Sequence, residues 1–539
     1  MSKTKIIALT GGVFSSLGKG LVLASIGRIL HTQKFKVATL KLDPYLNIDP
    51  GTMSPVQHGE IFVTHDGMEA DLDLGHYERF LDYPISKTSS LSAGQIYQQV
   101  LTKERAGDYL GKTIQIVPHL TNEIHERINQ IIDSDPDLDF LLIELGGTVG
   151  DIESLPFIEA LRSYKFHDST RQICFIHVSP LIRLNIGNEI KTKPTQHSVM
   201  KLREHGIIPN VLILRTSYPF DQQLHEKIAL YCNIDNDKIF YSQDVDNIYL
   251  LPQLLYEQKI HTKIFEFFKL DDPRTKNDLS SWLTFTDSIV KLKKSTYNVA
   301  LVGKYVQLAD SYLSIIESFN LASYHLGIDL KLTLIDATKI KSYKQAQEML
   351  GSYDGICVPY GFGSRGIEGK MFAIQYAREH QVPFLGICLG MQLAVIEYAR
   401  NVLKLTKANS MEFDVQTPDP LFTIQPTFHN TNRLGGTLSL GSSQVAIKPN
   451  TLAYEVYQSL NIVERYRHRY DFNPQYLDKF NDGNFVFSGV NSAGAESLIE
   501  LKNHPFFIAC QFHPEFLSKP LKPHPLFVGL LSALMKKNQ

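Results

Sequence analysis

At 539 residues the chain is longer than one hydrophobic core ordinarily serves, so two or more domains are expected. Apolar content of 43%, charged content of 20% and a formal net charge of −2 fit a soluble globular protein and argue against a general nucleic-acid binder, while leaving room for a local basic pocket for phosphates. Five scattered cysteines (Cys174, Cys232, Cys357, Cys388, Cys510) suit a reducing cytoplasm better than a disulfide framework or a zinc site, and no apolar run reaches the length of a membrane span or a signal sequence.

Lys5 to Thr10 reads as a short buried strand. It leads into Gly11-Gly12-Val13-Phe14-Ser15-Ser16-Leu17-Gly18-Lys19-Gly20, then a helix from about Leu21 to His31 and a strand over Lys36–Lys41. Strand, glycine loop with lysine, helix, strand is the P-loop layout, in which loop amides cradle phosphate oxygens and Lys19 reaches the outer phosphates. Five residues rather than four separate Gly12 from Gly18, and Gly20 stands where a Ser or Thr would ligate magnesium. The metal is therefore expected on carboxylates from elsewhere.

Asp71 and Asp73 would share one face if that stretch is extended. Glu144 closes the apolar run Phe140-Leu141-Leu142-Ile143 and precedes glycines, the place where open α/β sheets bind ligands. The proline-rich stretch Lys41–Pro55 reads as a binding loop, and Lys191–Ser198 gathers two lysines, hydroxyls and an amide suited to a triphosphate. Strands over Ile173–Val178 and Asn210–Arg215 complete a parallel, doubly wound first domain over residues 1–268. A polar linker with a bridging helix over Ser280–Lys294 is expected within 269–295, and a second α/β domain over 296–539, starting with the strand Tyr297–Gly303.

In that second half, Leu330–Ile335 and Gly355–Pro359 are strand candidates, the latter running into the glycine-rich turn Tyr360–Gly366. Val382-Pro383-Phe384-Leu385 then leads to Gly386-Ile387-Cys388-Leu389-Gly390, a G-x-C-x-G form of the nucleophile elbow. A thiol at a helix N-terminus gains thiolate character. Pro505–Phe512 reads as a strand ending in His513-Pro514-Glu515, where an extended backbone would point His513 and Glu515 to the same side. Glutamate orienting imidazole, imidazole serving thiol, is a nucleophilic triad for acyl transfer through a thioester. The N–H of Leu389 and one from the Tyr360-Gly361 turn are the expected oxyanion donors, while Cys357 and Cys510 are expected to be packing residues.

The second half resembles the class I glutamine amidotransferases, with Cys388, His513 and Glu515 as triad. The first half resembles the synthetase domain of the CTP synthase family through GGVFSSLGKG, KLDPYLNIDPGTMSP, DLDLGHYERF, GGTVGDIES and KTKPTQ, in the family's order and spacing. The resemblance implies ammonia release from glutamine and ATP-dependent amination of UTP to CTP through a 4-phosphorylated UTP. It places ATP on Ser16, Leu17, Gly18, Lys19, Gly20, Leu21, Asp73, Gln243, Asp244 and Val245, and Mg²⁺ on Asp73 and Glu144. It places UTP, or CTP as feedback inhibitor, on Ser15, Asp151, Ile152, Glu153, Lys191, Thr192, Lys193, Pro194, Thr195, Gln196 and Lys227. Lys41 would sit by the phosphoryl transfer, and Gly361, Leu389, Gly390, Met391, Gln392, Glu412 and Arg469 would bind glutamine. Pro55, His58 and Ile61 look like the family's ammonia passage. A cytoplasmic homotetramer activated by GTP is also implied.

Two departures from the family stand out. PGGFG is usual before the elbow, where this chain has Pro359-Tyr360-Gly361-Phe362-Gly363, and a Tyr narrows the allowed backbone angles. GGTMRLG is common in a loop linked to GTP activation, where this chain has Gly435-Gly436-Thr437-Leu438-Ser439-Leu440-Gly441, so a changed GTP response is expected. The competing reading is a P-loop amidoligase acting on a carboxylate, which would not require Lys191–Gln196 with Asp151 and Glu153.

Overall fold

In the computed structural model the described residues are 4–183, 189–218, 221–270, 279–291, 295–425 and 438–537. They fall into two compact units, Met1–Pro50 with Asp73–Thr286, and Gly51–Leu72 with Asp287–Gln539. Both are α/β.

The first unit is built on a seven-stranded, wholly parallel sheet. Its order is Ile239–Gln243, Val211–Thr216, Ile173–Pro180, Lys5–Gly11, Phe140–Leu145, Val37–Asp43 and Ser90–Ser92. The central strands are apolar throughout because helices cover both faces, which is why Phe140–Leu145 shows no alternation. In the register, Leu9 lies beside Glu144 and Thr10 beside His177, so the loop after Lys5–Gly11 opens between the two neighbouring strand ends. The helix Lys19–Thr32 follows that loop. The bridging helix is Ser280–Val290, and its buried Trp282 belongs to this unit. The indole N–H donates to Tyr249 O at 2.9 Å and Arg28 lies over the ring at 4.6 Å.

The second unit has a nine-stranded sheet. Asp329–Asp336, Thr296–Gly303, Gly355–Val358, Phe384–Ile387 and Phe507–Cys510 are parallel; Glu496–Leu501, Phe485–Asn491, Ser439–Ile447 and Asn461–His468 continue it antiparallel. Three adjacent parallel strands therefore deliver the turn at Tyr360, Cys388 and His513 to one end of the sheet.

An arm from the first half of the sequence, residues 51–72, folds into this second unit, which no composition shift announced. Its hairpin, Phe62–Val63 with Glu69–Ala70, is fixed by buried polar groups. Arg465 donates to Val63 O at 3.0 Å, and Arg467 pairs with Glu69 at 2.7 Å, both partners less than a tenth exposed. Removing one member of such a pair leaves a buried charge unmatched. Glu69→Ala should destabilise the second unit by about 3–5 kcal/mol, read as a lowered thermal midpoint, with the loss partly recovered by also replacing Arg467 with Met. A midpoint unchanged in the single variant would contradict this.

Candidate active sites

Cys388 joins the strand Phe384–Ile387 to the helix Leu389–Asn401 at φ 54°, ψ −104°, a conformation that costs a non-glycine residue energy. The flanking glycines make it possible. A Cβ on Gly386 would lie 2.7 Å from the Ala509 Cβ, and one on Gly390 would lie 2.0 Å from Val358 O. The N–H of Met391 and that of Gln392 bond the Cys388 carbonyl, so the amides of Leu389 and Gly390 precede the first in-helix bonds at the helix's positive end.

The Cys388 thiol donates to Arg467 O at 3.7 Å and accepts from Gln511 Nε2 at 3.5 Å. His513 Nδ1 lies 2.7 Å from Glu515 Oε1, with both side chains almost completely buried. The pair is not formed by extended backbone: Pro514–Leu517 is a 3-10 turn with His513 at its cap, so the sequence expectation reached the right partners by the wrong geometry. Burial alone would lower the His513 pKa, but the Glu515 carboxylate and the Cys388 sulfur outweigh it and push it up to about 10. The imidazole stacks on Phe516 at 5.2 Å. Cys357 and Cys510 are buried in apolar strands with their thiols pushed up by desolvation, in line with packing roles.

Facing the elbow, the turn after Gly355–Val358 is held from behind by two lysines. Lys370, fully buried, donates to Pro359 O at 2.7 Å and to Tyr360 O at 3.3 Å. Lys304 donates to the carbonyls of Phe362 and Gly363, the latter at 2.7 Å. Desolvation lowers both ammonium groups, Lys304 to about 8 against the pull of Glu412. In a trans peptide the N–H points opposite the preceding C=O, so the Tyr360 and Gly361 amides point away from Lys370. Tyr360 does not have a positive φ; in this turn positive φ falls on Gly361 (157°), Gly363 (74°) and Gly366 (77°).

A small cavity in this unit is lined by Gly361, Leu389, Gln392, Glu412 and Arg469 together with Cys388 and His513. Five of the seven expected glutamine-binding residues thus meet there. Gly390 packs on Val358, and the Met391 side chain lies in the core. Glu412 accepts from the Gly363 N–H at 2.7 Å, and burial raises its carboxyl despite that bond. Gln511, Arg467, Lys304 and Lys370 were not singled out from sequence; each stands outside any motif.

In the first unit the loop Gly12–Gly18 leaves Ser15 and Ser16 exposed and buries Leu17. Gly18 caps the helix at φ 78°, and Leu21 lies in its first turn. Lys19 donates to Gly147 O at 2.7 Å; burial lowers its pKa, with Glu144 opposing. Gly20 now has a steric reason. A Cβ there would lie 2.6 Å from Asp73 Oδ1 and 3.2 Å from Glu144 Oε2. Asp73 opens the helix Asp73–Leu81, which corrects the expectation of an extended Asp71–Asp73 pair, and its partner is Glu144.

Lys41 donates to both carboxylates, to Glu144 at 3.3 Å, and the Tyr77 hydroxyl donates to Glu144. Burial would raise the Asp73 pKa, but Lys41 and His76 hold it below the usual range; at Glu144 burial wins and raises it. Among the described residues no three His, Cys, Asp or Glu side chains gather as a metal cluster. Two carboxylates with the other positions left to water and phosphate oxygens is nevertheless a donor set that suits Mg²⁺.

The remaining nucleotide candidates lie at strand ends and helix starts, apart from Lys227 inside the helix Gln222–Cys232. Asp151 accepts from the Thr148 N–H at 2.9 Å, with Ile152 and Glu153 exposed beside it. Lys191 pairs with exposed Glu189 at 2.5 Å, and Lys227 pulls on the same carboxylate. Lys193 and Pro194 open the helix Lys193–Glu204, Thr195 donates to Pro180 O at 2.9 Å, and Gln196 donates to Thr192 at 3.0 Å. Gln243 donates to Tyr218 O at 3.1 Å, Asp244 pairs with Arg215 at 2.5 Å, and Val245 is half-buried. Arg215, which sequence reading left as the end of a strand, approaches the glycine loop: a Cβ on Gly18 would lie 3.9 Å from its Nη1.

In the second unit, Pro55 opens a short helix ending at His58, which is exposed, and Ile61 is buried. Gly435–Thr437 lie outside the described residues, while Ser439 donates to Gln425 at 2.6 Å.

A family model described as CTP synthase N-terminus matches residues 5–270, and one described as glutamine amidotransferase class-I matches residues 307–533. The CTP synthase of Phytoplasma australiense is 50% identical over 538 residues, covering 99% of this chain and 97% of that one. That of Onion yellows phytoplasma is 51% identical over 541 residues, covering 100% and 99%. That of Bacillus velezensis is 47% identical over 533 residues, covering 98% of each.

The geometry predicts selective thiol chemistry. Iodoacetamide should alkylate Cys388 ahead of the other four cysteines, followed by peptide mass spectrometry. The Glu515 carboxylate raises the His513 pKa, so Glu515→Gln should lower it. The imidazolium beside the thiol would then be lost at lower pH, and Cys388 alkylation at pH 8 should slow relative to the parent chain. Equal labelling of Cys357 and Cys388 would contradict the arrangement.

Proposed function

The chain belongs to the CTP synthase family, and from that premise we propose that it aminates UTP to CTP with nitrogen from glutamine or free ammonia. The observation that carries this reading is that one chain holds a buried thiol–imidazole–carboxylate site and a glycine-loop lysine beside two carboxylates. Neither alone accounts for the other.

In the glutaminase reaction the Cys388 sulfur, its proton passed to His513, attacks the carboxamide carbon of glutamine. The amides of Leu389 and of the Tyr360-Gly361 turn receive the oxyanion. His513, kept protonated by Glu515, gives its proton to the leaving nitrogen, and ammonia departs from a thioester. Water, with His513 now acting as base, releases glutamate and frees the thiol. Glu412 and Arg469 provide one negative and one positive group in the cavity, matched to the α-amino and α-carboxylate ends of glutamine.

In the first unit the loop Ser16–Leu21 with Lys19 holds the ATP phosphates, and the γ-phosphoryl group passes to O4 of UTP. Asp73 and Glu144 would hold Mg²⁺, which when bound would supply charge neutralisation at the phosphates. Lys41, shared between those carboxylates, would follow the negative charge as it shifts. Ammonia then attacks C4 and phosphate leaves. Asp151–Glu153, Lys191–Gln196 and Lys227 hold UTP, and CTP as inhibitor competes there. Ammonia must travel unprotonated, and Pro55, His58 and Ile61 on the arm are the residues assigned to its passage. The working form is a homotetramer in the cytoplasm with GTP as activator.

Two assays test the reading. Cys388→Ala should reduce glutamine-dependent CTP formation at least ~10³-fold while leaving ammonia-dependent formation within about twofold; loss of both would contradict two separate sites. With Ser439 where the family commonly has arginine, GTP should stimulate glutaminase turnover weakly, and Ser439→Arg should strengthen the response. An ordinary activation curve, unchanged by that substitution, would refute the GTP expectation.

A further inference from the structure

We propose that Tyr360 is a positioning residue that walls the imidazole of His513 with its ring and holds the arm 51–72 with its hydroxyl, so that glutamine hydrolysis and the delivery of its nitrogen along the arm rest on one side chain. The proposal rests on the reading of the second unit as a glutaminase.

Tyr360 is buried, and each end of its side chain has a partner. The ring lies 5.2 Å from the His513 ring, centroid to centroid, at 47°, and 5.3 Å from the Tyr312 ring. The hydroxyl donates to Ser311 O at 2.7 Å. Burial, with Glu60 and Glu515 adding to it, pushes the phenol pKa well up, so the group remains a donor at every working pH. Pro359 and Tyr360 carbonyls on Lys370 fix the backbone from which the ring projects.

Ser311 is in turn bonded to the arm. Its hydroxyl donates to Pro55 O at 2.8 Å. The neighbouring residues repeat the connection: the Glu60 N–H donates to Asp310 O at 2.8 Å, and the Ser314 N–H donates to the Glu60 carboxylate at 2.8 Å. Segment 310–314 is thus anchored to the arm at three points and to Tyr360 at a fourth. A continuous path runs from Pro55 through Ser311 and Tyr360 to His513 and Glu515. The imidazole must turn between thiol and leaving nitrogen, and the aromatic wall beside it sets the range of that motion.

Tyr360→Phe and Tyr360→Gly separate the two ends of the path. Each full-length variant is assayed for glutamate release, for CTP formed per glutamate, and for CTP formed from free ammonia. Phe retains the ring, so glutaminase kcat should stay within about twofold, while CTP per glutamate falls because the link to the arm is cut. Gly removes the wall, so kcat should fall about tenfold with KM little changed, a split that general loosening of the cavity would not give. Ammonia-dependent synthesis should be unchanged in both. A Phe variant with full stoichiometry, or a Gly variant with unaltered kcat, overturns the proposal; should the Gly variant not fold, the Phe stoichiometry alone decides. Absence of CTP from ammonia in the parent chain would instead overturn the functional reading.

Discussion

A cysteine at φ 54°, ψ −104° costs about 1–3 kcal/mol, and close packing on both sides of it in the second unit holds it there. Ala509 fills the space beside Gly386 and the Val358 carbonyl presses on Gly390, so strand, elbow and helix fit only as built. The Cys388 N–H donates to Cys510 O at 2.7 Å, which locks the elbow to the strand that carries His513 past its end. Cys388 and His513 are therefore positioned by one pair of parallel strands, and the Tyr360-Gly361 turn by the next strand over. The strain aims the sulfur out of the sheet at the start of a helix, where amides are available to a developing negative charge.

The first unit meets a comparable problem with charge in place of backbone strain. Glu144 is the next-to-last residue of a strand buried on both faces, and a bare carboxylate there would be expensive. Lys41, from the adjacent strand, matches it and Asp73 together. Gly20 is kept free of a side chain so that these carboxylates reach the helix start. A phosphate-bearing ligand with its cation would enter a place already balanced for charge. The arm is continuous with this arrangement in the chain: Leu72 ends it, and the next residue is Asp73.

Much of this was legible in the sequence because short motifs carry their own geometry. The strands around the glycine loop and the elbow appear within one or two residues of where apolar runs placed them, since strands buried on both faces read as unbroken apolar stretches. Cys388, His513 and Glu515 could be named because few other chemistries use that set. What sequence could not show was long-range. The placement of residues 51–72 in the second unit depends on Arg465 and Arg467, some 400 residues away, matching Val63 and Glu69. Lys304 and Lys370 look like ordinary surface lysines until the turn they hold is seen. The Asp71–Asp73 alternation failed because a helix begins at Asp73, and His513 meets Glu515 across a turn that no periodicity rule describes. Tyr360, flagged by sequence as a backbone constraint, also makes side-chain contacts that sequence did not show, its ring beside His513 and its hydroxyl on Ser311 O.

The central claim is that nitrogen released at Cys388 ends in the pyrimidine made at the Lys19 site. It is tested most directly by supplying the chain with ATP, UTP, Mg²⁺ and glutamine labelled with ¹⁵N in the side-chain amide, together with unlabelled ammonium, and reading the CTP by mass spectrometry. The account predicts CTP enriched in ¹⁵N well above the label fraction of the bulk ammonium pool. CTP carrying only that bulk fraction, or no CTP at all, would contradict it.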